Sequence, residues 1–151
     1  MAASILTASI AIGIVISFLF SMIVGIYPGG IIVPGYIALY IIDNPLNIVA
    51  TFGVSWFTYF IVSRFSYVVI IYGRRKTAIT ILLGFLFGYL FNLLIFSHYI
   101  GKAELSEIDI VGYIIPGLIA SSMDSYGVIT TLSSVITCSV VVKLLLILLM
   151  A

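Results

Sequence analysis

Few side chains in this sequence could carry acid–base, nucleophilic or ligand chemistry: six Lys and Arg, five Asp and Glu, one His and one Cys among 151 residues. Their spacing builds no catalytic set. His98 and Cys138 stand far apart and suggest no dyad. There is no His-Glu-x-x-His pair and no glycine-rich loop closed by Lys-Ser or Lys-Thr. A single cysteine makes neither an intrachain disulfide nor a multi-cysteine metal site. Cys138 therefore reads as small apolar filler in a helix. The chain reads as non-catalytic by itself, with no cofactor and no metal.

Most of the charges fall into three groups. Arg74, Arg75 and Lys76 form the one prominent basic cluster. Glu104, Glu107 and Asp109 lie in a polar stretch with His98 and read as a solvated loop. Arg64 and Lys143 interrupt apolar runs. A cation deep in a bilayer costs on the order of 3 kcal/mol and so needs a partner, water or an interfacial position. For Arg64 two readings stand. Ser55, Tyr59, Ser63 and Ser66 would give it a protein-lined, functional neighbourhood on one helix, or the side chain snorkels to the interface. Lys143 reads as snorkelling.

What must position these groups is a membrane fold. The chain is 64% hydrophobic and 7% charged, with a mean hydropathy of +1.39, whereas a soluble domain carries about a quarter charged residues. Small soluble domains cannot hide that much apolar surface. A net charge of +1 points to no nucleic-acid partner. Apolar stretches at 4–26, 46–72, 77–97 and 128–150 are each long enough to cross a bilayer. The first lacks the basic start of a cleaved signal and reads as a retained span.

Between these spans lie two short Pro-Gly segments, at 30–42 and 110–121, the second followed by a polar turn SSMDSYG. The windows GIIVPGYIA at 30–38 and GYIIPGLIA at 112–120 match at six of nine positions. The order span, Pro-Gly segment, span then recurs, which reads as one membrane domain over 1–151 with repeat halves 1–73 and 77–151. Irregular backbone exposed to lipid would leave amides and carbonyls unpaired, so these segments must be buried or line a wet cavity. Paired broken segments mark a midplane site between repeats; a packing role as simple kinks is the other reading. The fold class expected is all-α, with about four transmembrane helices plus two short re-entrant or broken ones.

Positive charge marks the cytoplasmic side, so the loop holding Arg74–Lys76 is placed inside. If the Pro-Gly segments re-enter, both termini are inside; if they cross, the halves are inverted and the termini lie outside. The re-entrant arrangement is the weakly favoured one. Ser9, Gly13, Ser17, Ser21 and Gly25 recur every four residues, as do Thr80, Gly84, Gly88 and Asn92. Small residues at this spacing let helix backbones approach closely in lipid, so these faces read as helix packing.

With these motifs placed, the sequence resembles the CapC/PgsC membrane proteins of bacterial poly-γ-glutamate synthesis. GIYPGGIIVPGYIAL at 25–39, YGRRK at 72–76 and IIPGLIAS at 114–121 carry the resemblance, in order and spacing, over essentially the whole chain. One departure is Ser21-Met22-Ile23-Val24, where family members often carry charge. The resemblance implies a multi-pass subunit of the bacterial plasma membrane. Its implied partners are an ATP-dependent ligase subunit (CapB/PgsB-like) that carries the nucleotide chemistry and a CapA/PgsA-like subunit, with anionic polyglutamate as product. On that reading Arg74, Arg75 and Lys76 dock the ligase. Arg64, Gly30, Pro34, Gly35, Gly112, Pro116 and Gly117 are candidates for the polymer path. Four spans enclose no roomy channel, so a homo- or hetero-oligomer is expected. The competing reading is a stand-alone small secondary transporter or permease.

Overall fold

A computed structural model describes the backbone of residues 2–43, 45–99 and 107–151 and the side chains of 4–41, 45–94 and 113–151. Glu104 lies outside the described residues, as do the side chains of His98, Glu107 and Asp109. The described residues form six helices: α1 (Ala2–Val24), α2 (Val33–Asp43), α3 (Pro45–Val68), α4 (Arg74–Tyr99), α5 (Glu107–Tyr126) and α6 (Val128–Met150). Four of them, α1, α3, α4 and α6, are long and apolar enough to cross a membrane. The expected all-α membrane fold is the observed one.

Local sequence explains the helix boundaries. α1 carries no charge and stops at Gly25, whose φ of 78° is a left-handed conformation. Residues 25–32 are irregular, and α2 resumes the helix at Val33. Proline opens α3, where its missing amide removes a donor that had no helical partner anyway. Gly73 accepts from the amides of Lys76 and Thr77 and so starts α4.

The two Pro-Gly segments differ. The first is broken, since α2 has only 11 residues. The second is not a short segment followed by a turn: Pro116 lies inside the 20-residue α5, which also takes up SSMDSY. Proline deletes one ladder bond, and neighbouring helices on its flanks sustain the backbone. Ser122 and Met123 are buried, and Ser125 donates to the carbonyl of Ser121 at 3.1 Å, so this polar stretch is satisfied as helix. Chain reversal comes only at Gly127.

The directions of the helices follow from their contacts. Gly84 lies on Gly117, Gly88 faces Tyr113, and Lys76 pairs with Asp124, so α5 runs antiparallel along α4 back to its basic end. At 20 residues α5 is about 30 Å long. The second segment thus runs the length of its neighbour instead of re-entering. Phe57 packs on Phe87, and a cleft joins Val62, Phe65 and Ser66 to Ile79 and Leu83, which makes α3 antiparallel to α4 as well. Gly29 lies by Val135, while Ala38 clusters with Val142 and Leu146, so α2 and α6 run together. Successive elements alternate in direction. Three per half makes the second half inverted relative to the first, against the weakly favoured arrangement of parallel halves.

The third helix of each half packs away from home. α3 lies chiefly on α4 and α5, whereas α6 lies on α1 and α2. The central core joins Val33 and Ile37 of α2, Ile115, Ile119 and Met123 of α5, and Val135 of α6.

Candidate functional site

Each half is built on a glycine crossing. In the first, a Cβ added to Gly13 would lie 2.5 Å from Gly35 Cα, and one added to Gly35 would lie 2.8 Å from the Ser9 carbonyl oxygen. Ser9, wholly buried, donates its hydroxyl to the Gly35 carbonyl at 2.7 Å. In the second, a Cβ on Gly84 would collide with Gly117 Cα, and one on Gly117 would lie 2.7 Å from Ile81 Cα. The four-residue stripes therefore lie at these crossings. Ser9 and Gly13 sit where Thr80 and Gly84 sit, 71 residues on, and Gly35 corresponds to Gly117, 82 on. Ser17 is buried like Gly88, and Ser21 and Asn92 are half-buried.

Around Pro34 and Gly35, both buried, the backbone is irregular only on the upstream side. Gly29 and Gly30 have φ of 69° and 101°, conformations that exclude most side chains. Gly29 is buried within contact of Val33, Ile119 and Val135, and Gly30 is half-buried facing Leu118. The counterparts Pro116 and Gly117 are buried within unbroken helix, and Gly112 lies in that same helix. The two Pro-Gly pairs occupy separate crossings, each adjoining the shared core.

Two hydroxyls at this level are unusual. Ser17 Oγ and Thr131 Oγ1 are buried and have no hydrogen-bond partner. A buried hydroxyl left unpaired costs about 1–3 kcal/mol. Ser17 continues the α1 stripe one turn past Gly13. Thr131 lies one turn before Val135, which touches Gly29.

Arg64 does not join these groups. Its side chain is exposed, and its guanidinium lies 5.5 Å from the Phe60 ring. Of the expected polar stripe, only Ser55 is buried. Its hydroxyl donates to the Thr51 carbonyl one turn back at 2.6 Å. The protein-lined neighbourhood expected for Arg64 is absent within one chain, because the buried face of α3 is Val54, Ser55, Thr58 and Val62. Arg64 stands four residues from the end of α3, in reach of an interface. Lys143 is half-buried on α6.

At the basic end, Arg74 and Arg75 are exposed, while Lys76 pairs with Asp124 at 2.7 Å. The pair ties the start of α4 to the last turns of α5. Asp124 escaped sequence reasoning although it is the one acidic residue after Asp109. Beside it the ends of α3 and α4 leave a cleft of about 240 Å³, its walls apolar apart from Ser66 and Lys76. Thr131 gave no sequence signal, since helical threonines commonly bond the preceding turn.

Comparison with known proteins adds the family. Residues 12–132 match the family described as Capsule biosynthesis CapC. The chain is 34% identical over 135 residues to the capsule biosynthesis protein CapC of Bacillus anthracis, covering 87% of this chain and 86% of that protein. It is also 34% identical over 132 residues to the PGA biosynthesis protein CapC of Bacillus subtilis (strain 168), with the same coverage. No solved structure matches it. With its glycine crossings, its broken first Pro-Gly segment and its basic end falling inside the matched residues, the chain belongs to the CapC capsule-biosynthesis family.

Proposed function

We propose that this chain is a multi-pass plasma-membrane subunit of a poly-γ-glutamate capsule synthase. It anchors the ATP-dependent ligase subunit and contributes to the route by which the anionic polymer leaves. The family match, with a capsule protein and a PGA biosynthesis protein among its relatives, is the observation that carries this reading. The described residues supply features suited to each part. Arg74 and Arg75 are exposed and unshielded at one end, a surface for an acidic partner face. Lys76 is partly neutralised by Asp124 and serves mainly to hold α4 against α5. For the route, the broken segment around Gly30, Pro34 and Gly35 is the stronger candidate. Its counterpart Pro116-Gly117 is sealed within α5. Arg64, exposed on α3, is left out of the route.

Membrane fractions from cells expressing the ligase subunit with this chain test the docking role. Arg74→Ala/Arg75→Ala is expected to shift most of the ligase into the soluble fraction with the membrane subunit still inserted. Unchanged co-purification removes docking from the proposal.

A second reading, an independent secondary transporter, is favoured by one observation: the inverted halves, each built on a glycine crossing, are an architecture common among transporters. It requires substrate uptake by the purified chain alone in liposomes, without the ligase.

A further inference from the structure

At the basic end α3 and α4 part. Phe57 and Phe87 hold the two helices together further along, with ring centroids 5.5 Å apart. From there towards Arg74 the cleft of about 240 Å³ opens between them, lined chiefly by Val62, Phe65, Ile71, Lys76, Ile79 and Leu83. Val62 is buried, whereas Phe65 and Ile79 are 60% and 37% exposed, so the cleft opens outward at their edges. Lys76 and Leu83 are seven residues apart on α4, which gives the cleft a length of about 10 Å along the helix. Its volume falls below the roughly 300–1,000 Å³ of a small-molecule pocket. It suits a segment of one hydrocarbon chain.

Phe65, Ile79 and Leu83 belong to the membrane-spanning stretches of the two helices. Whatever enters beside them comes from the bilayer and must be apolar there. At the mouth the requirement reverses. Arg74 and Arg75 are exposed and directly precede Lys76. Lys76 lays its methylene stem along the cleft and gives its ammonium to Asp124 at 2.7 Å. Asp124 is the one acidic side chain among the described residues, and it is committed to Lys76. No carboxylate among them neutralises the two arginines. The occupant that complements both parts is apolar along its length and anionic at one end.

We infer that this cleft binds an anionic phospholipid, with one acyl chain between α3 and α4 and the phosphate against Arg74 and Arg75. Basic residues beside a crevice between transmembrane helices are a recurring setting for acidic headgroups, and each cation near the membrane surface strengthens the attraction about fivefold. The site needs only the membrane fold and stands apart from the synthase role. It touches that role at one point. Lipid and ligase meet at the same two arginines, so a bound headgroup lowers the positive charge offered to a partner.

The test uses the purified full chain, without ligase, in detergent micelles holding phosphatidylglycerol and phosphatidylcholine in equal amounts. Native mass spectrometry counts the lipids retained. Wild type is expected to keep one phosphatidylglycerol and to release phosphatidylcholine. Arg74→Gln/Arg75→Gln should weaken retention about twenty-fivefold, the product of two fivefold losses. Ile79→Trp, which fills the cleft from its edge and leaves both arginines in place, should weaken it about tenfold. Lys143→Gln, which removes a cation from α6 outside the cleft, should retain the lipid as wild type does. Glycerophosphate, the headgroup without its chains, should not displace the lipid. Equal retention of phosphatidylcholine, no lipid on wild type, or unchanged retention in Arg74→Gln/Arg75→Gln overturns the site. So does unchanged retention in Ile79→Trp, or displacement by glycerophosphate at the lipid's own concentration, because either leaves the cleft no part in binding. With no ligase present, failure of the docking role leaves this result untouched, and failure here leaves docking standing.

Discussion

Ser9 gives its hydroxyl to the carbonyl of Gly35 across 2.7 Å, at the point where α1 and α2 touch backbone to backbone. In lipid, apolar burial adds little between helices, and close packing with interhelical hydrogen bonds decides association. This contact has both.

Ser9→Ala should therefore destabilise the chain by about 1 kcal/mol, the net worth of one such bond. Reversible unfolding in mixed micelles measures it; a Ser9→Thr variant, which keeps the donor, separates bond from volume.

Gly35→Ala and Gly117→Ala should each cost about 1–3 kcal/mol or prevent folding, because the new methyl meets backbone that cannot step aside. Gly53 is the internal control. It is exposed on α3 with nothing within 4 Å, so Gly53→Ala should stabilise by up to about 1 kcal/mol through helix propensity alone. The same unfolding assay ranks all three.

Lys76 and Asp124 are 21% and 30% exposed. A double-mutant cycle with Lys76→Met and Asp124→Asn should give a coupling below about 1 kcal/mol that shrinks in high salt. The pair fixes register between α4 and α5 more than it adds stability.

The alternation of helix directions predicts sidedness. In a Cys138→Ala background, cysteines at Thr77 and Ser125 should react with an impermeant maleimide from one side, and a cysteine at Asn47 from the other. Labelling of Ser125 from the same side as Asn47 would contradict full-length passage by α5.

Much of the helical layout was legible because lipid imposes it: uninterrupted apolar runs of twenty residues have few alternatives to helix. The Pro-Gly window predicted a break at both copies, but only the first is broken. Proline alone does not decide. Gly25, Tyr27-Pro28 and Gly29-Gly30 precede the first copy and prevent a helix from starting, whereas Glu107–Tyr113 precedes the second and propagates one. Arg64 was illegible for another reason. Ser55, Tyr59, Ser63 and Ser66 mark polar positions on α3, yet which face is buried depends on α4 and α5, whose approach local spacing does not encode. The crossings were similarly hidden: stripes displaced by 71 and windows displaced by 82 are reconciled only because α4 and α5 run further beyond their crossing than α1 and α2 do.

Because α3 rests on α4–α5 and α6 on α1–α2, neither half contains its own completed bundle. During synthesis α3 waits in the bilayer without its main neighbours until two further helices emerge. A chain severed between Ile70 and Gly73 yields two pieces that each carry the missing wall of the other. Co-expressed, they should reassemble; expressed singly, each should be cleared by membrane proteases.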